Sequence, residues 1–318
     1  MRFPGRVGLA ALLAVSCGKR LEGARPGEVS LSPNLVCAAQ LTTRVKVTGT
    51  NLSPLQTRAL NGPLLELPVL TLSRTRDLDN AAAPDPAVKI PDDSSDPGAS
   101  RVRWASQPEM SFEVFPELAL KAGLYDFGVA NPGGESSNTA GALLAVPPPT
   151  LTEVVPDLAC GDLDNSLELR GDFFLQFGGL QPTIKLANLS LSPASMSDCR
   201  TLPGAGQVSA CKTMRVALAK KAAPLGTQRV TVENPAPAGC SSSEPLTVTL
   251  VPEPTVTKIE PDLVCSEQGP NTLKVTGAGF LTVDAAAPVL NLALGIQVLS
   301  LVTVASDCTV GNRSVNFR

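Results

Sequence analysis

The sequence predicts an all-β protein built of two-sheet sandwiches in tandem, and three observations predict it. A short motif is written three times, as Pro33-Asn34-Leu35-Val36-Cys37, Pro156-Asp157-Leu158-Ala159-Cys160 and Pro261-Asp262-Leu263-Val264-Cys265, each followed by a strand-like run ending in glycine. Apolar and polar residues alternate with period two in runs such as Ser166–Gly171, Met214–Leu218 and Gln228–Val232, the mark of strands with one buried face. The 29 prolines and 26 glycines are scattered evenly through the 318 residues, as expected where turns recur at short intervals.

The copies share a framework as well as a composition. The cysteine-to-glycine intervals are 12, 11 and 12 residues, for Cys37 to Gly49, Cys160 to Gly171 and Cys265 to Gly277. The motif cysteines lie 123 and 105 residues apart. Such periods suit one sandwich of about a hundred residues each and exceed the roughly 20 to 50 of a solenoid repeat. Each copy opens just after a proline-rich seam, Pro147-Pro-Pro-Thr-Leu-Thr-Glu-Val-Val-Pro156 aligning without a gap on Pro252-Glu-Pro-Thr-Val-Thr-Lys-Ile-Glu-Pro261. These seams lack Gly/Ser character and are expected to act as short stiff connectors. The expected division is a leader at 1–17, a linker at 18–28, sandwiches at 29–147 and 148–252, and an incomplete third at 253–318.

The leader carries Arg2 and Arg6, then an apolar stretch from Val7 to Val15, then Ser16-Cys17 at cleavage distance, the pattern of an export signal. It is too short to span a bilayer. Ala14-Val15-Ser16-Cys17 resembles the lipobox of bacterial lipoproteins, in which the cysteine is acylated, although that family usually carries leucine where Ala14 stands. The resemblance implies membrane attachment through lipidated Cys17 and, with Gly18 next, the outer membrane or cell surface. The alternatives are an ordinary signal peptide with an incidental cysteine, or a misassigned start.

Export makes the other seven of the eight cysteines candidates for disulfides. The second copy holds Cys160, Cys199, Cys211 and Cys240, which allow three connectivities. The turn-rich Thr201-Leu-Pro-Gly-Ala-Gly206 favours joining Cys199 to Cys211, leaving Cys160 to meet Cys240. In the third copy Cys265 and Cys308 are candidates, and Ser306-Asp307-Cys308 matches Ser197-Asp198-Cys199. That copy lacks counterparts of Cys211, Cys240 and Asn234-Pro235, so the chain is expected to be a fragment or its last domain incomplete. Cys37 has no obvious partner within its own copy and is expected to be free or paired across a seam. A zinc site is the rival, but histidine is absent and the spacing is not that of zinc ribbons.

Pro254 to Pro261, followed by Asn271-Thr-Leu-Lys-Val-Thr-Gly-Ala-Gly-Phe280, resembles the start of an immunoglobulin-like IPT/TIG domain. In that family a Pro-x-Ile-x-x-Ile-x-Pro opening precedes a glycine strand ending in Phe, and a Gly-x-Tyr-x-Val-x-Val-x-Asn-Pro strand closes the domain. Gly123 to Pro132 and Gly226 to Pro235 match that closing strand, with Gln228 standing where the family has tyrosine. The resemblance covers most of residues 29–318. It implies tandem immunoglobulin-like β-sandwiches and a place in extracellular or interaction arrays, and carries over no catalytic residue.

Between Ser73 and Arg101 the first copy is rich in Pro, Asp, Ala and Ser, which reads as a solvated insertion and as a first place to seek recognition. Chemistry is less legible. Without histidine the usual general base and the Ser-His-Asp and Cys-His nucleophile arrangements are missing. Asp162, Asp164 and Asn165, and likewise Asp77, Asp79 and Asn80, suit turns that bond their own backbone, with calcium as the functional rival. Asp92, Asp93 and Asp96 read as an exposed charged loop. Net charge is −3 with signs interspersed, so no nucleic-acid footprint is present. Aromatic residues make up 3%, which argues against a sugar-stacking module. Trp104 reads as core filler or as a surface platform, and Phe173-Phe174 as a strand-end anchor. No cofactor and no catalytic site are expected. The expected role is a noncatalytic envelope lipoprotein presenting its domains to a protein or glycan; the alternative is a spacer in a larger exported protein.

Overall fold

The structure, a computed structural model, describes residues 24–59, 62–91, 101–204, 206–262, 273–280, 291–294, 297–300, 303–304 and 315–316. The leader with Cys17, the third-copy Cys265 and Cys308, and Asp92, Asp93 and Asp96 lie outside the described residues. The chain divides between Val146 and Pro147 into two compact units.

The first unit runs β1 (Gly27–Ser32), β2 (Leu35–Cys37), β3 (Thr43–Thr50), a hairpin of β4 (Leu55–Ala59) and β5 (Gly62–Glu66), then β6 (Val69–Arg76), β7 (Val88–Lys89), β8 (Val102–Ser106), β9 (Glu109–Val114), β10 (Gly123–Ala130) and β11 (Ser136–Val146). One sheet is ordered β1-β3-β9-β8 and the other β2-β11-β10-β6-β7. The second unit repeats the plan with β12 (Thr150–Val155), β13 (Leu158–Cys160), β14 (Asn165–Gln176), β15 (Thr183–Leu186), β16 (Leu189–Leu191), β17 (Ser195–Ser197), β18 (Arg200–Thr201), β19 (Ser209–Leu218), β20 (Gly226–Glu233) and β21 (Leu246–Val251). Its sheets are β12-β14-β19-β17, with β18 also on β19, and β13-β21-β20-β15-β16. Each is an immunoglobulin-like β-sandwich. In the third copy β22 (Thr255–Glu260) pairs antiparallel with β23 (Lys274–Ala278), as β1 pairs with β3 and β12 with β14.

In the first two copies the motif is a corner between sheets. Proline has no N–H to donate, so the ladder of β1 stops at Pro33, and the next residues pair in parallel with the last strand, Leu35 opposite Leu144 and Cys37 opposite Val146. The Leu144 amide donates to the Asn34 carbonyl at 2.8 Å, and the Thr249 amide to the Asp157 carbonyl at 2.7 Å. The opening strand thus begins in one sheet and finishes in the other. The peptide bonds before Pro33, Pro156 and Pro261 are all cis.

The glycine strand has an equally local reason. Two residues after the glycine the backbone turns left-handed, at Asn51 (φ 57°), Phe173 (φ 58°) and Gly279 (φ 77°). The turn aims the following side chain inward, so Leu52, Phe174 and Phe280 are buried. Phe174 is therefore the anchor of its strand end, while half-buried Phe173 lies under the Arg200 guanidinium, 5.7 Å from the ring centroid.

Alternation places the cores. Val45 and Val47 of β3, and Met110, Phe112 and Val114 of β9, face Leu70 and Leu72 of β6 and Phe127 and Val129 of β10. Phe112 and Phe127 come from opposite sheets and stack with ring centroids 5.4 Å apart, which contributes about 1 kcal/mol beyond their burial. In the second sandwich Val230 and Val232 are buried, Arg229 is exposed and Thr231 is half-buried.

The insertion is only partly a solvated loop. Asp77 closes a turn by accepting from the amides of Asp79 and Ala81 at 2.9 and 2.8 Å. The chain then returns along the sheet as β7, Lys89 opposite Thr71, and Leu78 and Ile90 are buried. Composition concealed this because two apolar side chains, set among prolines and aspartates, suffice to pin the segment.

Tyr125 and Gln228 occupy the same place in the two closing strands. The Tyr125 hydroxyl donates to the Lys121 carbonyl at 2.7 Å; the Gln228 amide donates to the Pro224 carbonyl, likewise four residues back, at 2.9 Å. The tyrosine corner of such sandwiches thus survives with a different donor. Burial pushes the Tyr125 phenol up to about 12. Tyr125 is the single tyrosine, so native absorbance at 295 nm is expected to titrate near that value, against roughly 10 in urea. A raised folded value means that this group's stabilisation is complete below about pH 10 and is lost as pH rises beyond it. A native midpoint near 10 would contradict the buried corner.

Candidate functional surface

The five-stranded sheet of the first sandwich carries an open groove of about 350 Å³ on its outer face. Two rungs build it: Val69–Ala130–Ser136, and Thr71–Gly128–Asn138. Gly128 leaves the floor bare, and a Cβ there would lie 2.3 Å from the Thr71 hydroxyl. Arg25 flanks the groove. Hydroxyls and a side-chain amide can both donate and accept, so the surface matches hydroxyl-rich or backbone-like ligands. In the second sandwich Gln228 aligns with Tyr125, which sets Thr231 where Gly128 stands; Lys185 faces it from β15 and reaches the Ser190 hydroxyl at 3.0 Å. Gly128 drew no reading from the sequence, although a mid-strand glycine can mark close approach by another group.

The acidic and amide candidates serve the scaffold. Asp162 accepts from the Glu253 amide at 3.0 Å, Asp164 from the Lys220 amide at 2.8 Å, and Asn165 donates to the carbonyls of Cys160 and Leu163. Asn80 accepts from Arg76 at 2.7 Å. Among the described residues no cluster of His, Cys, Asp or Glu could hold a metal ion. Trp104 packs half-buried against the core and donates to the Leu52 carbonyl at 2.7 Å.

Asn131 and Asn234, of the two Asn-Pro pairs, are buried brackets. Asn131 accepts from the Ser53 amide at 3.1 Å and donates to the carbonyls of Ala24 and Asn51, both at 2.7 Å. Asn234 accepts from the Leu175 amide and donates to the Phe173 carbonyl, both at 2.9 Å. Each satisfies the backbone that the left-handed turn removes from its ladder. The sequence showed the pair but not its task.

Cys199 and Cys211 form a disulfide across β18 and β19. Cys37 and Cys240 are each disulfide-bonded, and Cys160 is a free, half-buried thiol. The expected pairing of Cys160 with Cys240 is thus corrected. Cys160 lies opposite Val251, beside the Gly226 end of β20, whereas Cys240 accepts from the Asn234 amide just past Glu233 at the far end. The length of β20, about 25 Å at the usual strand rise, separates them, against roughly 4–7 Å between the Cα atoms of a cystine.

Charged pairs lace the outer faces. Glu113 accepts from Arg44 at 2.7 Å and from Arg101 at 2.8 Å, and these bonds hold its carboxyl below the usual range. Arg170 and then Arg215 do the same for Glu168, and Lys121, with Arg74, for Asp85. A lowered folded value gives stability that is complete above the unfolded value near 4 and is lost as pH falls through the folded one. The urea midpoint is expected to hold from pH 7 to about 5 and fall below about 4.5, less steeply in Glu113→Gln. A midpoint that rises on acidification would contradict these pairs.

No known protein family and no curated protein matches this chain. Solved structures similar to it include the full extracellular region of Plexin A4, domains 1 to 10 (14% identity, TM-score 0.31), of which the chain spans 22% while 98% of its own length is covered. A three-immunoglobulin-domain segment of titin is 14% identical at TM-score 0.28, covering 92% of this chain and 87% of that one. Murine CEACAM1b is 11% identical at TM-score 0.23, covering 72% and 100%. Strand order and register define the fold.

Proposed function

We propose that this chain is a noncatalytic, exported cell-envelope protein that presents immunoglobulin-like domains to a protein or glycan, anchored through lipidated Cys17. The observation that carries the reading is the groove at Gly128, where the Ser136 hydroxyl, the Asn138 amide, which also donates to Asp126 at 3.3 Å, and the Arg25 guanidinium line one open surface. Disulfides among the described cysteines support an oxidising compartment outside the cytosol. The test is binding of the immobilised protein to isolated envelope polysaccharide and to solubilised envelope proteins. The double variant Ser136→Ala/Asn138→Ala is expected to lose tenfold or more in binding to one fraction with its Tm unchanged. Equal binding by wild type and variant overturns the groove, and binding to neither fraction favours the spacer reading. Intact mass of protein from the native envelope tests the anchor: a diacyl or triacyl increment on Cys17 is expected, and an unmodified chain retaining residues 1–17 contradicts it.

A further inference from the structure

We propose that the groove at Gly128 takes an acidic peptide segment of a partner protein, a proposal that rests on the binding role argued above and names its ligand. The first argument is charge. Of the cations on and beside this sheet, Arg74 and Lys121 pair with Asp85 at 3.3 and 3.1 Å, and Arg76 donates to Asn80. Arg25 and Lys89 are exposed and have no carboxylate partner among the described residues. Both border the groove: Arg25 lines it, and Lys89 extends one of its rungs, which reads Lys89–Thr71–Gly128–Asn138 across β7, β6, β10 and β11. The backbone beneath Arg25 is fixed at the end of the sheet, since Asn131 donates to the Ala24 carbonyl at 2.7 Å and Asn51 to the Arg25 carbonyl at 3.2 Å. A guanidinium on an anchored stem loses less freedom when it grips a carboxylate.

The second argument is the floor. Asp126, one rung beyond Gly128, accepts from the Asn138 amide at 3.3 Å, from the Thr75 hydroxyl at 3.4 Å and from the Gly141 amide at 2.8 Å. With its nitrogen held there, Asn138 turns its carbonyl oxygen toward Gly128, 3.8 Å from where a Cβ would stand, and the Thr71 hydroxyl lies on the other side. These oxygens receive the N–H groups of a peptide, and Val69, 38% exposed, receives an apolar side chain. No aromatic ring is among the residues that line the groove, so a sugar finds no ring to stack on. Cations beside a polar floor are the recognition mode of acidic peptide motifs.

The second sandwich supplies the contrast. Thr231 fills the floor there, and the facing Lys185 is held by the Ser190 hydroxyl at 3.0 Å, with the Glu233 carboxylate at 4.0 Å. The same face is open and cationic in one copy, and filled and neutralised in the other.

The test is panning of the full chain against a positional library of short blocked peptides, with polygalacturonate as the saccharide probe. The expected result is enrichment of Asp and Glu, with binding that weakens as salt rises and is about tenfold weaker in Arg25→Gln/Lys89→Gln at unchanged Tm. Neutral peptides enriched by wild type and lost in Ser136→Ala/Asn138→Ala would keep the groove and overturn the acidic ligand. Acidic peptides bound equally by wild type and Arg25→Gln/Lys89→Gln overturn the proposal, and if Ser136→Ala/Asn138→Ala binds them as well, the groove falls with it. Polygalacturonate bound with no peptide enriched, or neither probe bound, also overturns the proposal.

Discussion

Replacing Asn234 by alanine is expected to cost the second sandwich roughly 3 kcal/mol, because it strands two backbone groups where water does not reach them. Asn234 is 1% exposed, and its side chain bonds the Leu175 amide and the Phe173 carbonyl. Each buried group left without a partner costs about 1–3 kcal/mol. For a domain of about a hundred residues that corresponds to a Tm lower by roughly 15 °C. Asn131→Ala should do the same to the first sandwich, where it strands the Ser53 amide and the carbonyls of Ala24 and Asn51. Thermal unfolding of both variants, followed by Trp104 fluorescence for the first sandwich and by circular dichroism for the second, checks the pair. A loss under about 0.5 kcal/mol at either site, the usual size of a surface effect, would mean that the brackets are ornamental.

Gly171→Ala is expected to destabilise the second sandwich by a similar amount, through crowding and not through lost bonds. A Cβ at Gly171 would fall 1.9 Å from the Thr150 carbonyl oxygen and 2.8 Å from the Phe174 ring. Neither neighbour is a flexible chain end: one is the backbone that opens β12 and the other is the core anchor. Forcing a methyl into such a site costs about 1–3 kcal/mol, occasionally more. Gly277 meets the same obstacles, the Thr255 carbonyl at 1.9 Å and the Phe280 ring at 2.9 Å. Gly49 is the control, since its added Cβ would meet the Gly27 carbonyl at 3.0 Å, and Gly49→Ala should cost under about 1 kcal/mol. Urea unfolding midpoints decide the matter: equal losses at Gly49 and Gly171 would contradict the close approach of β12 to β14.

Much of this fold was legible because it is written in local rules. Period-two runs such as Gln228–Val232 assigned the core faces, and the turn residues between Cys199 and Cys211 marked a hairpin narrow enough to bridge. What escaped was long-range or three-dimensional. Cys160 and Cys240 share a domain in sequence, yet topology sets them at opposite ends of one sheet. Gln228 looked like a departure from the tyrosine pattern, but hydrogen-bond direction, and not aromaticity, is what the corner uses. Phe173 stands in a left-handed turn that its neighbours in the repeat fill with Asn51 and Gly279, and no propensity rule places a phenylalanine there. The groove at Gly128 is a side chain that is not there, visible only once Thr71 and Asn138 are set on either side of it.

If the repeated residues fasten each sandwich, native-state hydrogen exchange reads it at two amides. The Ser53 and Leu175 amides are bonded to asparagine side chains and not to a ladder partner. They are expected to be protected as strongly as the Leu144 and Thr249 amides, which close the corner of the motif. Exchange of Ser53 and Leu175 at the rate of open loops, with the strands still protected, would contradict the account.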